Sequence, residues 1–199
     1  MNSALRTKNY ALIAGITLLL AFAFATPVVA DRGSRAYNYY TGAGTLPPSD
    51  CAALGLPTGC TLCDIAPCPD VATASNGDTV TISGSGTLTI HPDSVTGSGT
   101  FVHKDSAGNV KASGTWTALS LMSFVSFGSG SAQGLPSDFE GGKAVILVHL
   151  SAGPNAVFTV VCALGSPPSG FAEGIRLNVQ DIINFNKQVS GVTLLIRTA

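Results

Sequence analysis

Four of the five cysteines in this 199-residue chain lie within eighteen residues of one another, and they are the side chains best placed for covalent chemistry. Cys51, Cys60, Cys63 and Cys68 share that stretch with prolines and glycines, whereas Cys162 stands alone. In an exported protein such a cluster predicts two disulfides, which order a segment too irregular to build its own core. The spacing does not decide which cysteines pair, and one of the five must be left over.

Zinc is the alternative for this cluster, because Cys60-x-x-Cys63 has the spacing of two thiolates on a tetrahedral metal. The intervals to Cys51 and Cys68 fit no zinc ribbon or finger, so we predict no metal site and no cofactor. A redox-active pair would need a strand before it and a helix after it, and this stretch has the composition of a loop. Cys162 lies in an alternating apolar run, which predicts either a buried free thiol or a tie to the N-terminal segment.

His103 and His149 are candidates for acid–base catalysis. By strand parity His103 shares a face with Phe101, and His149 shares one with Leu147, so both imidazoles could point into the interior. Two interior imidazoles could act as acid and base or bind a metal, although no carboxylate lies at a metal-ligand spacing beside either. The alternative is that each is an ordinary surface or hydrogen-bonded histidine.

Further candidates lie near the end of the chain. Glu173 and Arg176 form a second candidate catalytic pair at a loop–strand junction, where binding residues often lie. Asn184 and Asn186, with an aromatic ring between them, are candidates for ligand binding, as is Trp116. The simpler interpretation is that the charges are solvated and that the amides bond their own backbone in a turn.

The segments that carry these residues alternate between apolar and polar positions. The motif Gly84–Leu88 recurs thirteen residues later as Gly97–Phe101, and a related motif, Gly114–Trp116, follows. Each leads into a run of Thr, Val, Ile and aromatic residues with a period of two, which is typical of strands joined by hairpins. The pattern predicts a buried face formed by Leu88, Ile90, Phe101, Trp116 and Ala118.

The rest of the chain continues this pattern and predicts about eight strands. The further runs cover residues 120–128, 143–151, 156–164, 175–179 and 192–196, with an uncertain segment at 181–187. Antiparallel strands in this number form a small β-barrel or, as the alternative, a β-sandwich. We expect the barrel over residues 76–199, with residues 31–75 as a Cys/Pro/Gly-rich N-terminal arm outside it. The strand pattern resembles lipocalin-like, avidin-like and allene-oxide-cyclase-like barrels in fold alone, which does not assign a function.

Residues 1–30 have the organisation of a secretory signal peptide. Arg6 and Lys8 precede an apolar run over residues 11–25, and Pro27 is followed by the small residues that end at Ala30. A basic start, an apolar centre and a small-residue exit predict cleavage and export to the periplasm or the extracellular space. The alternative is a retained membrane anchor, since about twenty apolar residues can span a bilayer. After cleavage we expect no stable membrane span.

The charge balance limits the possible partners. The net charge is −1 and only 11% of residues are charged, which excludes a nucleic-acid binder that works through a basic stripe. The leading hypothesis is an exported, disulfide-stapled barrel that binds a small apolar ligand or a surface. The alternatives are a barrel enzyme of cyclase or isomerase type that uses interior histidines, and a structural secreted or cell-surface protein. A cavity below roughly 300 Å³ would argue against the ligand, and outward or distant histidines would argue against the enzyme.

Overall fold

The computed structural model describes residues 33–199, and within this range the chain forms ten β-strands, one short α-helix and two 3₁₀ turns. The predicted signal peptide, residues 1–30, lies outside the described residues. No helix between residues 33 and 199 is long and apolar enough to cross a membrane. The helix and strands are β1 (Arg35–Thr41), α1 (Pro48–Ala53), β2 (Asp70–Ala74), β3 (Thr79–Ile90), β4 (Ser94–Lys104), β5 (Val110–Ser129), β6 (Glu140–Leu150), β7 (Asn155–Cys162), β8 (Gly174–Val179), β9 (Ile183–Ser190) and β10 (Thr193–Arg197).

All ten strands belong to one antiparallel sheet, and eight of them close into a ring. The order around the ring is β3, β2, β9, β8, β7, β6, β5 and β4, and β4 pairs again with β3. The other two strands extend the sheet beyond the ring, because β1 pairs with the second half of β3 and β10 pairs with β1. The predicted antiparallel all-β fold is therefore confirmed.

Two strands come from the segment 31–75, which the sequence predicts to be an arm outside the strands. β1 and β2 both pair with β3 and are part of the sheet. Only the residues between them, 42–69, form an excursion from the sheet. β9 likewise occupies the uncertain segment near residue 185, and the two runs predicted on either side of residue 119 form the single long strand β5. Three register shifts against β6 bend this strand, as bulges do.

The interior of the ring holds the main core, and the predicted face is in it. Leu88, Phe101 and Trp116 are buried, while Ile90 and Ala118 are half-buried against the same cluster. This face is therefore predicted correctly.

The repeated glycines leave space for two large side chains of that core. Gly84 and Gly99 lie opposite each other on β3 and β4, and an added Cβ at these positions would come within 2.5 Å and 2.6 Å of the Trp116 indole. The neighbouring pair, Gly86 and Gly97, leaves the same kind of space for the hydroxyl of Tyr39. The motif that the sequence repeats is thus a packing device that lets aromatic rings approach the backbone closely.

The excursion over residues 42–69 is held by two disulfides, Cys51–Cys60 and Cys63–Cys68. The disulfide prediction is confirmed, and Cys162 is a buried free thiol in the main core. The excursion packs on a second cluster of buried residues, outside the ring, which includes Tyr40, Leu46, Leu62, Phe139, Leu194 and Ile196. Burial raises the pKa of the Cys162 thiol to about 12, which keeps it protonated and unreactive.

Candidate functional site

The two ends of the ring are built differently, and one of them carries a pocket. Four short turns meet at that end, which we call the pocket end: residues 75–78, 105–109, 151–154 and 180–182. They join β2 to β3, β4 to β5, β6 to β7 and β8 to β9, so neighbouring hairpins in the ring all turn there. At the opposite end, which we call the carboxylate end, the chain enters β2 at the buried Asp70 and enters β8 directly after the half-buried Glu173.

The pocket at the pocket end has a volume of about 200 Å³ and is lined by apolar side chains from several strands. His103 is the one polar residue among those that line it. Ile182, which is 67% exposed, lies at its rim together with Ala152 and Pro154 from the neighbouring turn. Deeper residues include Val80, Phe101, Ala112, Leu150, Leu177 and Phe185. The volume lies below the roughly 300 Å³ at which drug-sized ligand sites begin, so by the criterion stated above it argues against a drug-sized apolar ligand and leaves space only for a smaller molecule.

His103 is held in this pocket by a buried carboxylate. Its Nε2 lies 2.8 Å from Oδ2 of Asp78, and its ring meets the Phe185 ring edge-on with centroids 5.1 Å apart. Asp78 is 4% exposed, and its carboxylate also lies 3.8 Å from Nζ of Lys111. The hydrogen bond with His103 is the largest of the effects that hold the pKa of Asp78 below its ordinary value. An ionised carboxylate therefore orients the imidazole.

Sequence reasoning missed Asp78, although a signal for it exists. Asn76-Gly77 is a strong turn pair, and it places Asp78 directly before β3, where the amide of Asp78 bonds to the side chain of Asn76. His103 pairs with Val80 across the β3–β4 ladder, so Asp78, two residues before Val80, is its diagonal neighbour. The register that reveals this contact follows from the β3–β4 turn, which the sequence locates only approximately.

The predicted pairing of His103 with His149 is wrong. His149 is exposed on the outer face of β6, where its Nδ1 lies 3.1 Å from Oδ1 of Asn155. The inward positions of β6 are occupied instead by Ala144, Ile146 and Val148, which are all buried. The run over residues 143–151 is apolar on both faces, so its alternation cannot decide which face points inward.

Glu173 and Arg176 do not form the predicted catalytic pair. Oε1 of Glu173 accepts a hydrogen bond of 2.7 Å from the amide of Thr193, and Oε2 accepts one from the amide of Ala163. The hydroxyl of Thr193 lies 2.8 Å from Oε1 of Glu173 and 2.7 Å from the carbonyl oxygen of Val161, so these two acceptors share its one proton. The pKa of Glu173 is raised, because the effect of burial is larger than the opposite effect of the hydrogen bonds from Ala163 and Thr193. Arg176 lies within β8, opposite Thr159, and makes no salt bridge with any residue in the range 33–199. Glu173 thus ties the ends of three strands together.

Asp70 is a buried carboxylate at the carboxylate end, and no sequence pattern distinguishes it. It is fully buried, and Oδ2 accepts a hydrogen bond of 2.9 Å from the amide of Gly42. Oδ1 has no hydrogen-bond partner in the described part of the chain. Burial raises the pKa of Asp70 to about 7, and the nearby charge of Glu173 adds to the effect.

The predicted ligand-binding residues lie elsewhere. Trp116 is buried in the core, where its Nε1 donates a hydrogen bond to the carbonyl oxygen of Ser83, and it does not line the pocket. Asn184 and Asn186 are exposed on β9, and it is Phe185 between them that enters the pocket. Because this segment is a strand and not a turn, the two amides and the ring point to opposite faces.

Comparisons with known proteins leave the geometry as the basis for a functional assignment. No protein-family model matches the chain, and neither the curated proteins nor the solved structures contain a match. Between residues 33 and 199 no group of three or more His, Cys, Asp or Glu side chains is arranged to hold a metal ion. The arrangement at the pocket end is therefore an apolar pocket with one oriented imidazole.

Proposed function

We propose that this protein binds a small apolar molecule, about the size of one aromatic ring, in the pocket at the pocket end of the ring. The observation that carries this proposal is the lining itself, in which every residue except His103 is apolar. Apolar surface that remains in contact with water has an unfavourable free energy of hydration, and a ligand of matching shape removes that surface from water. A protein that needed only a filled core would gain stability by closing this space.

The size of the pocket sets the size of the ligand. A volume of about 200 Å³ excludes a fatty acid or a drug-sized compound as a fully enclosed ligand, because such sites start at roughly 300 Å³. An apolar cavity of about 150 Å³ binds benzene. A benzene ring with one or two small substituents is therefore the ligand class that fits.

The proposed setting is outside the cytoplasm. Two disulfides support it, because such bonds persist in oxidising compartments, and so does the signal-peptide pattern of residues 1–30. Within this proposal the ring acts as a closed barrel whose interior is filled by side chains, so that the ligand enters from one end. An enzyme that uses two interior histidines is not proposed, because His149 lies on the outer face.

Isothermal titration calorimetry with toluene tests this proposal. We expect saturable binding at one site per chain, and we expect the substitution Ala112→Phe to abolish it, because the new ring occupies the pocket. Ala172→Phe is the matched control, since Ala172 is exposed in the loop before β8 and does not line the pocket. Absence of binding to the unsubstituted protein, or equal binding to both variants, would rule out the proposed site.

A further inference from the structure

His103 gives the proposed apolar pocket one polar group, and the chemistry of that group specifies the ligand further. The inference rests on the proposed function, because it concerns the same pocket. The partner of the imidazole is known: Nε2 lies 2.8 Å from a carboxylate oxygen of Asp78. The pKa of Asp78 is held low, so at neutral pH this carboxylate is ionised and can only accept hydrogen bonds.

That partner decides which ring nitrogen carries the proton. Since Asp78 only accepts, Nε2 must be the protonated nitrogen of the neutral imidazole. Nδ1 is then unprotonated and carries a lone pair. A carboxylate that orients a histidine through one nitrogen commonly leaves the other as an acceptor or base for a ligand.

The other ring nitrogen of His103, Nδ1, has no hydrogen-bond partner among the described residues. It is also not among the buried polar atoms that lack a partner. It is therefore not fully buried, and the imidazole that carries it lines the pocket. The Phe185 ring against the imidazole edge limits its rotation.

We propose that Nδ1 of His103 accepts a hydrogen bond from a neutral donor on the ligand, so that the pocket selects an aromatic molecule with one hydroxyl group, a phenol, over the hydrocarbon of the same shape. A plain hydrocarbon leaves this acceptor without its water and without a replacement partner, and that loss weakens binding. A donor in its place should strengthen binding about tenfold, which is the usual effect of one hydrogen bond of this kind.

Binding of three ligands that share a methylbenzene frame and differ at the para position tests the proposal: toluene, 4-methylphenol and 4-methylbenzoate, each titrated into the protein at pH 8. We expect 4-methylphenol to bind about ten times more tightly than toluene and 4-methylbenzoate to bind least tightly. Equal affinities for toluene and 4-methylphenol would overturn this inference and leave the proposed function standing. Binding of none of the three would overturn the proposed function itself. Tightest binding of the carboxylate would show an anion site and would also overturn the inference.

A variant and a spectrum complete the test. His103→Phe should abolish the preference for 4-methylphenol while toluene still binds, and His149→Phe, the same change at an exposed histidine, should leave the preference intact. Nitrogen-15 NMR of the imidazoles of the unsubstituted protein needs no variant to fold. It should show His103 protonated on Nε2 at pH 8, with the Nδ1 signal shifting when 4-methylphenol is added. A proton on Nδ1 in the free protein would overturn the inference.

Discussion

Asp70 and Asp78 lie eight positions apart at opposite ends of β2, both are buried, and their pKa values shift in opposite directions. Asp78 faces an imidazole and a lysine, which stabilise its charge. Asp70 has one backbone amide, an oxygen without a partner and a second carboxylate nearby. The surroundings at the two ends of the ring therefore shift the pKa of an aspartate in opposite directions.

The comparison shows that the partners of a buried carboxylate, and not its burial alone, determine its charge. At the pocket end an ionised Asp78 orients His103 toward a space that a ligand can fill. At the carboxylate end Asp70 packs so closely against Gly191 that an added Cβ there would lie 2.5 Å from its Cα. The first carboxylate orients a side chain that lines the pocket proposed to bind a ligand, whereas the second, with Glu173, joins strand ends in a packed region.

The largest expected effect tests the structural role of the carboxylate end. Glu173→Ala removes the acceptor for two amides, those of Ala163 and Thr193, while the Thr193 hydroxyl can still donate to the carbonyl oxygen of Val161. We expect a loss of roughly 3–5 kcal/mol in the free energy of unfolding, since each buried donor left unpaired costs about 1–3 kcal/mol. Urea denaturation measures it. Asp138→Ala is the control, because that half-buried carboxylate accepts no hydrogen bond within residues 33–199, and its loss should cost less than about 0.5 kcal/mol. Equal stabilities for the two variants would contradict the role assigned to Glu173.

The next effect concerns the charge of Asp70. Its pKa is near 7 when folded and about 3.9 when unfolded, so the folded state holds the proton more tightly and this group lowers stability as pH rises from about 4 to 7. Asp70→Asn removes the charge. We expect the variant to be more stable by up to about 4 kcal/mol at pH 8, and similar to the unsubstituted protein at pH 4. A stability difference that is independent of pH in urea denaturation would contradict the raised pKa.

At the pocket end we expect the charge of Asp78 to affect stability less than that of Asp70 does, and in the opposite direction. The folded pKa of Asp78 lies below its unfolded value, so its contribution to stability is present above about pH 4 and is lost as the pH falls further. Asp78→Asn should therefore lower the urea midpoint at pH 7 and lower it by less as the pH falls below about 4. If both asparagine variants shifted the midpoint in the same direction at pH 7, the contrast between the two ends would be wrong.

Most of the fold could be predicted from the sequence, because the alternation of apolar and polar residues along a strand is a local property. The runs around Leu88, Phe101 and Trp116 show a clear period of two, and each became a strand with the predicted face inward. β2 was missed because it is short and its inward residues, Ala72 and Ala74, are small. β1 was missed because its tyrosines do not differ in polarity between the two faces as aliphatic residues do.

The site was less predictable because it depends on register and parity across strands. His103 was placed correctly beside Phe101 within one strand, but its partner Asp78 lies on a different hairpin. His149 was misplaced because both faces of β6 are apolar. The disulfide pairing and the unpaired oxygen of Asp70 are three-dimensional facts that no local pattern records.

Methyl NMR of the protein titrated with 4-methylphenol is the sharpest test of the proposed binding site, because it observes both ends of the ring at once. We expect saturable shifts of the Val80, Leu150 and Leu177 methyl groups at the pocket end. The methyl groups of Leu194 and Leu195, which follow Thr193 in β10 at the carboxylate end, should not shift. Unchanged spectra throughout, or equal shifts at both ends, would contradict the claim that the pocket end alone is built to bind a ligand.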